Sequence, residues 1–316
     1  MKFDINCSVG ARFKFHVYKA GSGELVRESA WSPNLVLNSG INHLNGVTPN
    51  RELGGLAVGT GSSTPTEDQV GLDSLVSYTT TVIARTGGRK VDAVPYYLWG
   101  RRVFRFAQGA AKGNLTEVGI CQLISSSPDQ YLFFNRALIK DASGQPTSIT
   151  VLADEFLEVT VEVRNYYPET ITGSFRLLNK TGDVVSTHTY TGKPCLTANP
   201  SDYQLYRTSF NFNVNNSTVS DREMSAGITT KPHAKDSFTS VAQWQNGQIE
   251  GHIQFGLDRG NGFDHKTFFV PMVSIFNDVF QNGWQWTIDP PMRKVNTQLL
   301  THRWALKYGR YTGVVE

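Results

Sequence analysis

The segment from Tyr131 to Tyr167 constrains the fold of this chain more than any other part of it. Two long runs with the two-residue side-chain period of a β-strand flank a turn-rich connector, DASGQP. In the second run, apolar side chains on one face alternate with polar side chains on the other: Leu157, Val159, Val161 and Val163 against Glu158, Thr160, Glu162 and Arg164. The pattern predicts a half-buried antiparallel strand whose apolar face meets a core. Glu158, Glu162 and Arg164 are expected to face solvent or a neighbouring subunit.

The same alternation recurs from end to end and predicts an all-β protein. At 316 residues the chain exceeds the roughly 100–200 residues of a single domain. Composition shifts near Tyr167-Pro168 toward Thr, Asn, Ser and Gly. We therefore expect two β-sandwich-like domains with antiparallel sheets, residues 1–168 and 169–316, and one or two short helices.

Two local patterns interrupt the strands near the start of the chain. The segment AGSG, residues 20–23, supplies residues that tolerate positive φ and predicts a hairpin into ELVRE. Within residues 34–46, Leu37, Ile41 and Leu44 are spaced three or four apart, and Asn45-Gly46 follows them. This spacing predicts one small helix that ends at the Asn-Gly pair.

Charge and cysteine content exclude several classes of protein. The net charge of +3 is dispersed without a polybasic stripe, so we expect no nucleic-acid partner. Cys7, Cys121 and Cys195 are odd in number and lack CxxC spacing, which argues against a disulfide framework or a zinc site and indicates buried thiols. We expect neither a leader, because the N-terminal segment has no apolar h-region, nor membrane insertion, because no apolar run approaches ~18 residues.

Two glycine-rich segments could bind ions. GTGSSTP, residues 59–65, follows a predicted strand, but a phosphate loop would continue with Lys-Ser/Thr or a third glycine before a helix, and a proline follows instead. A turn that lets another backbone approach is the favoured interpretation. DRGNGFD, residues 258–264, has two carboxylates and an asparagine but not the ligand ladder of an EF-hand, so we expect a hairpin turn and no metal.

The sequence offers no convincing catalytic group, and no cofactor is expected. The acid pair of a glycosidase could be sought in Glu158 with the Asp154-Glu155 pair, or in Glu117 with Glu169. The sequence gives no reason to choose either set as catalytic. The seven histidines are isolated, without HExxH or HxH spacing, and GxSxG is absent. We therefore expect a protein that is not an enzyme.

Aromatic residues near Asn and Gly, as in FQNGWQW, are the best candidates for contact with a partner. Such side chains can anchor a protein interface or stack on sugar rings, although core packing accounts for most aromatics. We rank interface use ahead of glycan use. The candidate interface or binding residues are Tyr96, Tyr97, Trp244, Phe280, Trp284 and Trp286.

Four segments occur in an order that resembles structural proteins of tailed bacteriophages, from the tail, baseplate and fibre region. They are WSPNLVLNSGINHLNG, LAVGTGSSTPTEDQVGLDSLV, NLTEVGI and LFFNRALIKDASGQPTSITVLADEFLEVTVEVR, which together cover about residues 31 to 166. MRKVNTQLLTHRWALKYGR near the end is similar to closing strands of such proteins. Residues 170 to 290 match nothing in that family.

The resemblance implies a non-enzymatic virion component that is made in the host cytoplasm and incorporated into the tail in several symmetric copies. Its expected partners are copies of itself, in a trimer or higher ring, and other phage tail or baseplate proteins. Residues 1–168 would attach to the virion, and residues 169–316 would be peripheral or would contact the host. The alternatives are a receptor- or glycan-binding tail protein, a head or collar decoration protein and a tailspike-like hydrolase. The hydrolase is disfavoured because the sequence shows no β-helix repeat.

Overall fold

The protein is built almost entirely from β-strands. Its computed structural model describes residues 2–48, 51–126, 129–196, 199–200, 203, 213–215, 238–245, 247–258, 260–262, 264–271 and 282–315. Within these residues the chain forms mainly antiparallel sheets, with one parallel strand pair, and one short helix, which confirms the all-β prediction.

The helix and the strands follow each other in this order: β1 Lys2–Lys19, β2 Leu25–Glu28, β3 Ser32–Pro33, β4 Leu35–Val36, α1 Asn38–Leu44, β5 Gly55–Gly59, β6 Leu75–Thr79, β7 Val82–Lys90, β8 Tyr96–Phe106, β9 Gly113–Leu115, β10 Glu117–Ser126, β11 Asp129–Phe133, β12 Asn135–Leu138, β13 Ile149–Val151, β14 Glu155–Tyr167, β15 Ile171–Leu178, β16 Val184–Leu196, β17 Asn213–Asn215, β18 Phe238–Gln245, β19 Gln248–Phe255, β20 Asp264–Pro271, β21 Asn282–Arg293 and β22 Leu300–Arg310. The predicted AGSG hairpin joins β1 to β2, and Gly23 has the positive φ of 70° that the turn requires.

Strand β1 lies at the centre of the largest sheet. Its second half pairs antiparallel with β14 from Ser8↔Tyr166 to Lys19↔Glu155, and its first half pairs parallel with β22 from Lys2↔Arg303 to Val9↔Arg310. Among the described strands the order of this sheet is β18-β19-β22-β1-β14-β8-β7, with β2 and β3 added to β1. The apolar face of β14 is fully buried as predicted.

Smaller sheets complete the described architecture. One has the order β4-β12-β10-β5-β6, with β11 on β10; another has the order β15-β16-β21-β20-β17, and β13 pairs with β9. Phe3 of β1 stacks on Trp286 of β21 with ring centroids 4.3 Å apart, so the central sheet and the β21 sheet share a core. The larger hydrophobic cluster contains residues from Phe3 to Tyr308.

The predicted boundary at residues 168/169 falls between β14 and β15. Strands β18, β19 and β22 come from beyond it, yet they extend the sheet that β1 and β14 form. The division into two domains stays a prediction, and the described sheets cross it.

Helix α1 lies where the sequence predicted a small helix. It begins after Leu37, which is buried, and ends at Leu44, which is followed by Asn45 and by Gly46 with a φ of 78°. The Asn45 side chain donates to the Tyr308 carbonyl at 2.7 Å and accepts from the Tyr308 amide at 2.8 Å. This pair of hydrogen bonds ties the end of the helix to β22.

Candidate functional site

The loop between β5 and β6, residues 60–74, closes over the buried carboxylate of Glu117; we call it the clamped loop. The register of β10 on β5 sets Glu117 opposite Gly59, at the point where the loop begins. The carboxylate accepts from the amides of Gly61 at 2.8 Å, Ser74 at 2.9 Å and Asp73 at 3.1 Å. Of the backbone donors that GTGSSTP could offer to a phosphate, the Gly61 amide is therefore bound by Glu117, and the Ser63 amide is bound by Asp73 Oδ2 at 3.0 Å.

Arg136 of β12 neutralises Glu117 and reaches the loop as well. Its Nε lies 2.8 Å from Glu117 Oε2, and its Nη2 lies 2.7 Å from Asp73 Oδ2. Its Nη1 donates to Ser63 Oγ at 3.1 Å and Gln69 Oε1 at 2.9 Å. Hydrogen bonds from Ser63, and then Arg136, hold the pKa of Asp73 below its usual value. A buried ion pair with its remaining donors satisfied fixes one loop geometry.

Two glycines of GTGSSTP make room for this arrangement. A Cβ at Gly59 would lie 2.4 Å from the Ser74 carbonyl oxygen, and a Cβ at Gly61 would lie 2.4 Å from Glu117 Oε1. Both distances are far below van der Waals contact. The glycines thus serve close packing on Glu117.

The tip of the clamped loop, residues 66–71, is held at its base and exposed at its end. Glu67 Oε2 lies 3.0 Å from Arg310 Nη1, and Asn38 donates through its side chain to Asp68 Oδ1 at 2.6 Å. The Asn38 amide also donates to the Glu67 carbonyl at 2.8 Å. Val70, two residues further on, is 80% exposed, more than any other large apolar side chain among the described residues.

A second feature is the outward side of β1, β14 and β8, where three arginines surround one glutamate. Arg12 Nε and Arg164 Nε lie 3.0 and 2.7 Å from Glu162 Oε1, and Arg101 contacts its other oxygen. Burial alone would raise the pKa of Glu162, but Arg12, Arg164 and Arg101 outweigh it and lower that pKa. The expectation that Glu162 and Arg164 face solvent was wrong: they are 1% and 6% exposed, because the long side chains cover one another. Contact of their face with a neighbouring subunit stays a prediction.

Tryptophans flank this arginine cluster. The Arg12 guanidinium lies 4.3 Å from the Trp31 ring centroid, and Arg101 lies 4.7 Å from the Trp99 centroid. Trp31, Trp99, Arg12 and Arg101 are all partly exposed. We call these residues, with Arg164 and Glu162, the arginine face. Arg and Trp are the residue types that dominate interface hot spots.

The two tyrosines proposed as contact residues point to opposite sides of β8. Tyr96 faces the core and is buried, which removes it from any surface. Tyr97 is half-buried beside the arginine face, where the Arg164 guanidinium lies 4.7 Å from its ring centroid and Tyr166 lies 5.2 Å away. Alternation along the strand thus separates neighbouring residues.

Trp284 and Trp286, two of the candidate interface or binding residues, lie in strand β21 and are buried. They are 0% and 2% exposed, and Trp286 stacks on Phe3. This corrects the choice of Trp284 and Trp286 as binding residues, because buried rings cannot stack on a sugar. The Trp244 backbone lies in β18 opposite Ile249. The Trp244 side chain and all of Phe280 lie outside the described residues.

The glycine-rich segment of residues 258–264 is occupied by an ammonium group of the same chain. Lys294 is buried, and its Nζ lies 2.7 Å from Asn261 Oδ1 and 3.0 Å from the Leu257 carbonyl. Burial lowers the pKa of Lys294. Among the described residues no group of three or more His, Cys, Asp or Glu is arranged to hold a metal.

Four of the five carboxylates considered as acid pairs, all except Glu169, are bound in ion pairs among the described residues. Glu155 contacts Arg27 and, at 3.2 Å, Lys19, while Glu117 binds Arg136. Glu158 binds Arg105 on the outer side of the sheet. Each of these carboxylates joins neighbouring strands or loops, which gives it a structural role here.

Comparison with known proteins gives no relative for the chain. No protein-family model matches it, and neither a curated protein nor a solved structure is significantly similar to it. No helix in the described ranges has the length and apolar character needed to span a membrane.

Proposed function

We propose that the chain is a non-enzymatic structural component of a tailed-phage virion, in the tail tip, baseplate or fibre-attachment region. It acts through interfaces between copies of itself, in a trimer or higher ring, and with other tail proteins. The observation that carries the proposal is the clamped loop, whose buried ion pair fixes it while its tip stays exposed.

A loop fixed before association suits an assembly protein. Ordering a mobile segment on binding costs about 0.5–1.5 kcal/mol for each immobilised side chain, and a preformed loop avoids much of that cost. The segments that resemble phage proteins supply the parts of this loop. Its backbone comes from GTGSSTPTEDQ, Glu117 comes from TEVGI, and Arg136 comes from NRAL. Their order in the sequence thus corresponds to one spatial unit, which supports a shared role.

The arginine face supports the same proposal. It groups Trp31, Trp99, Arg12 and Arg101 on the open side of the central sheet, where they can be buried by a partner without rearranging the core. Three arginines against one glutamate leave a local surplus of positive charge. A partner that covers this face would carry carboxylates.

The glycan-binding alternative has less support than it had from the sequence. Two of the residues on which it depended, Trp284 and Trp286, are buried. A decoration protein of the head or collar would use the same kind of surfaces as a tail protein. Only the position of the chain in the virion distinguishes a decoration protein from a tail protein.

Immunoelectron microscopy of particles of the phage that encodes this chain tests the proposal. An antibody against the purified protein should label the tail end at regularly spaced positions. Label at the head or collar would favour a decoration protein, and particles that lack the chain by mass spectrometry would contradict a virion role altogether.

A further inference from the structure

A groove with an apolar floor lies at the far side of the molecule from the clamped loop. It is a cavity of about 720 Å³ between the β15–β16 hairpin and residues 290–300. Leu178, Val185 and Leu299 line it, and they are 59%, 60% and 62% exposed. Three large apolar side chains that converge on one open groove are typical of a binding surface.

The rim of this groove is positively charged. Lys180 and Arg293 supply this charge, Lys294 beside them is buried, and no aspartate or glutamate is among the described residues that line the groove. Lys180 and Arg293 are exposed and have no ion-pair partner in the part of the chain that the structure describes. An occupant with an apolar side chain beside carboxylates would complement both the floor and the rim.

The tip of the clamped loop has that chemistry. Asp68 supplies a carboxylate two residues before Val70, which is 80% exposed, while Glu67 stays paired with Arg310 of its own chain. The loop is already fixed by Glu117 and Arg136, so it could enter a groove without being ordered first.

Strand β22 shows that one chain cannot place its own tip in its own groove. Leu300, at the start of β22, lines the groove, while Arg310, at its end, binds Glu67 of the tip. Ten residue steps along a strand span about 33 Å. The two surfaces therefore lie at opposite ends of the same strand and can meet only between copies.

We propose that the tip of the clamped loop, residues 66–71, of one copy docks into the β15–β16 groove of a second copy. Val70 packs on Leu178, Val185 and Leu299, and Asp68 faces Arg293. The contact joins different surfaces on the two partners, so repeating it builds a closed ring where the rotation permits and an open filament otherwise. This inference rests on the proposed function in that it names the contact between copies.

The test measures the absolute mass of the full chain by size-exclusion chromatography with light scattering over a range of protein concentrations. Wild type should exceed the monomer mass of 35.1 kDa. Val70→Asp and Arg293→Asp should each weaken association at least about tenfold and shift the mass toward the monomer. The double variant Asp68→Arg, Arg293→Asp should recover association, because the charges are exchanged.

Control variants keep the outcomes separate. Val94→Asp places the same charge on another exposed valine and should leave the mass unchanged. Urea unfolding midpoints close to wild type for every variant show that folding is intact. Wild-type association that survives Val70→Asp and Arg293→Asp overturns this contact but leaves the proposed assembly role. A charge-exchanged variant that stays monomeric also overturns the pairing. A wild type that is monomeric at all concentrations overturns this contact, while the labelling and mass spectrometry of particles test the virion role separately.

Discussion

The clamped loop and the loop of residues 257–262 are each held in place by one buried charged side chain, and the two charges have opposite signs. Both are rich in glycine, both have a composition that suggests a bound ion, and each receives a charged side chain from elsewhere in the chain. Glu117 accepts from three amides in the first, and Lys294 donates to carbonyl oxygens in the second. The two loops differ in whether the central charge has a counter-ion. Arg136 neutralises Glu117, whereas Lys294 donates to neutral oxygens within the described residues.

This difference shows how far each loop depends on its central charge. Removing Arg136 leaves a buried carboxylate without a counter-ion, which is among the costliest defects in a protein. Removing Lys294 leaves neutral oxygens without a donor, which costs less. The clamped loop should therefore be the more rigid and the more sensitive of the two.

Replacing Arg136 should give the largest loss of stability. For Arg136→Met we expect the free energy of unfolding, from urea titration, to fall by about 3–5 kcal/mol, because the buried Glu117 loses its ion-pair partner. Arg105→Met is the matched control, since the Arg105–Glu158 pair lies on the outer side of the sheet and should be worth less than about 1 kcal/mol. Equal losses for the two variants would contradict the role of Arg136.

Replacing Lys294 should have a smaller effect. We expect Lys294→Met to reduce the free energy of unfolding by about 1–3 kcal/mol. The Leu257 carbonyl and the Asn261 side chain lose their hydrogen-bond donor, but no unpaired charge is left buried. Lys180→Met, at an exposed position, should change it by less than about 0.5 kcal/mol. A loss larger than that of Arg136→Met would reverse the comparison.

The regions that contain the two loops should also respond to acid in different pH ranges. His302 is buried with neither ring nitrogen hydrogen-bonded, and burial, with the nearby His265, lowers its pKa well below the usual value of about 6.5. Below that pH the unfolded chain takes up a proton that the folded chain does not, so stability should fall as pH falls. The slope should reach about 1.4 kcal/mol per pH unit.

The Asp73 contribution should persist to lower pH. Its pKa is lowered by Ser63 and Arg136, so the stability it adds is present above about pH 4 and is lost as pH falls further. Urea titrations between pH 7 and 5 should show the histidine slope, and His302→Phe should reduce it. An unchanged slope in His302→Phe would assign the acid response to other groups.

The smallest effect on stability should come from Val70→Asp. Because Val70 is 80% exposed, we expect the free energy of unfolding to change by less than about 0.5 kcal/mol. A larger loss in thermal or urea unfolding would mean that Val70 packs within its own chain and is not presented to a partner.

Local periodicity predicted the fold class and much of the local structure. The β14 core face, helix α1 and the hairpin at Gly23 all follow from short-range patterns and are confirmed. The same periodicity placed Glu162 and Arg164 on an outward face but could not show that neighbouring strands bring Arg12 and Arg101 over them. Burial of Trp284 and Trp286 likewise depends on Phe3, at the other end of the chain.

The sequence alone did not predict the clamped loop, because the residues that fix it are distant from one another in the sequence. Glu117 lies 56 residues from Gly61, and Arg136 lies 63 residues from Asp73. The available signal was a single charged residue inside an apolar strand segment, in TEVGI and in FFNRALI. Such a residue is expected to be paired when buried, but the sequence does not identify its partner.

Amide hydrogen exchange of the native protein tests the central claim that the clamped loop is preformed. We expect the Gly61, Asp73 and Ser74 amides, which donate to Glu117, to be protected nearly as well as the β5–β10 ladder, and Arg136→Met to remove that protection first. Exchange of these three amides at the rate of an unstructured segment in the wild-type protein would contradict the account.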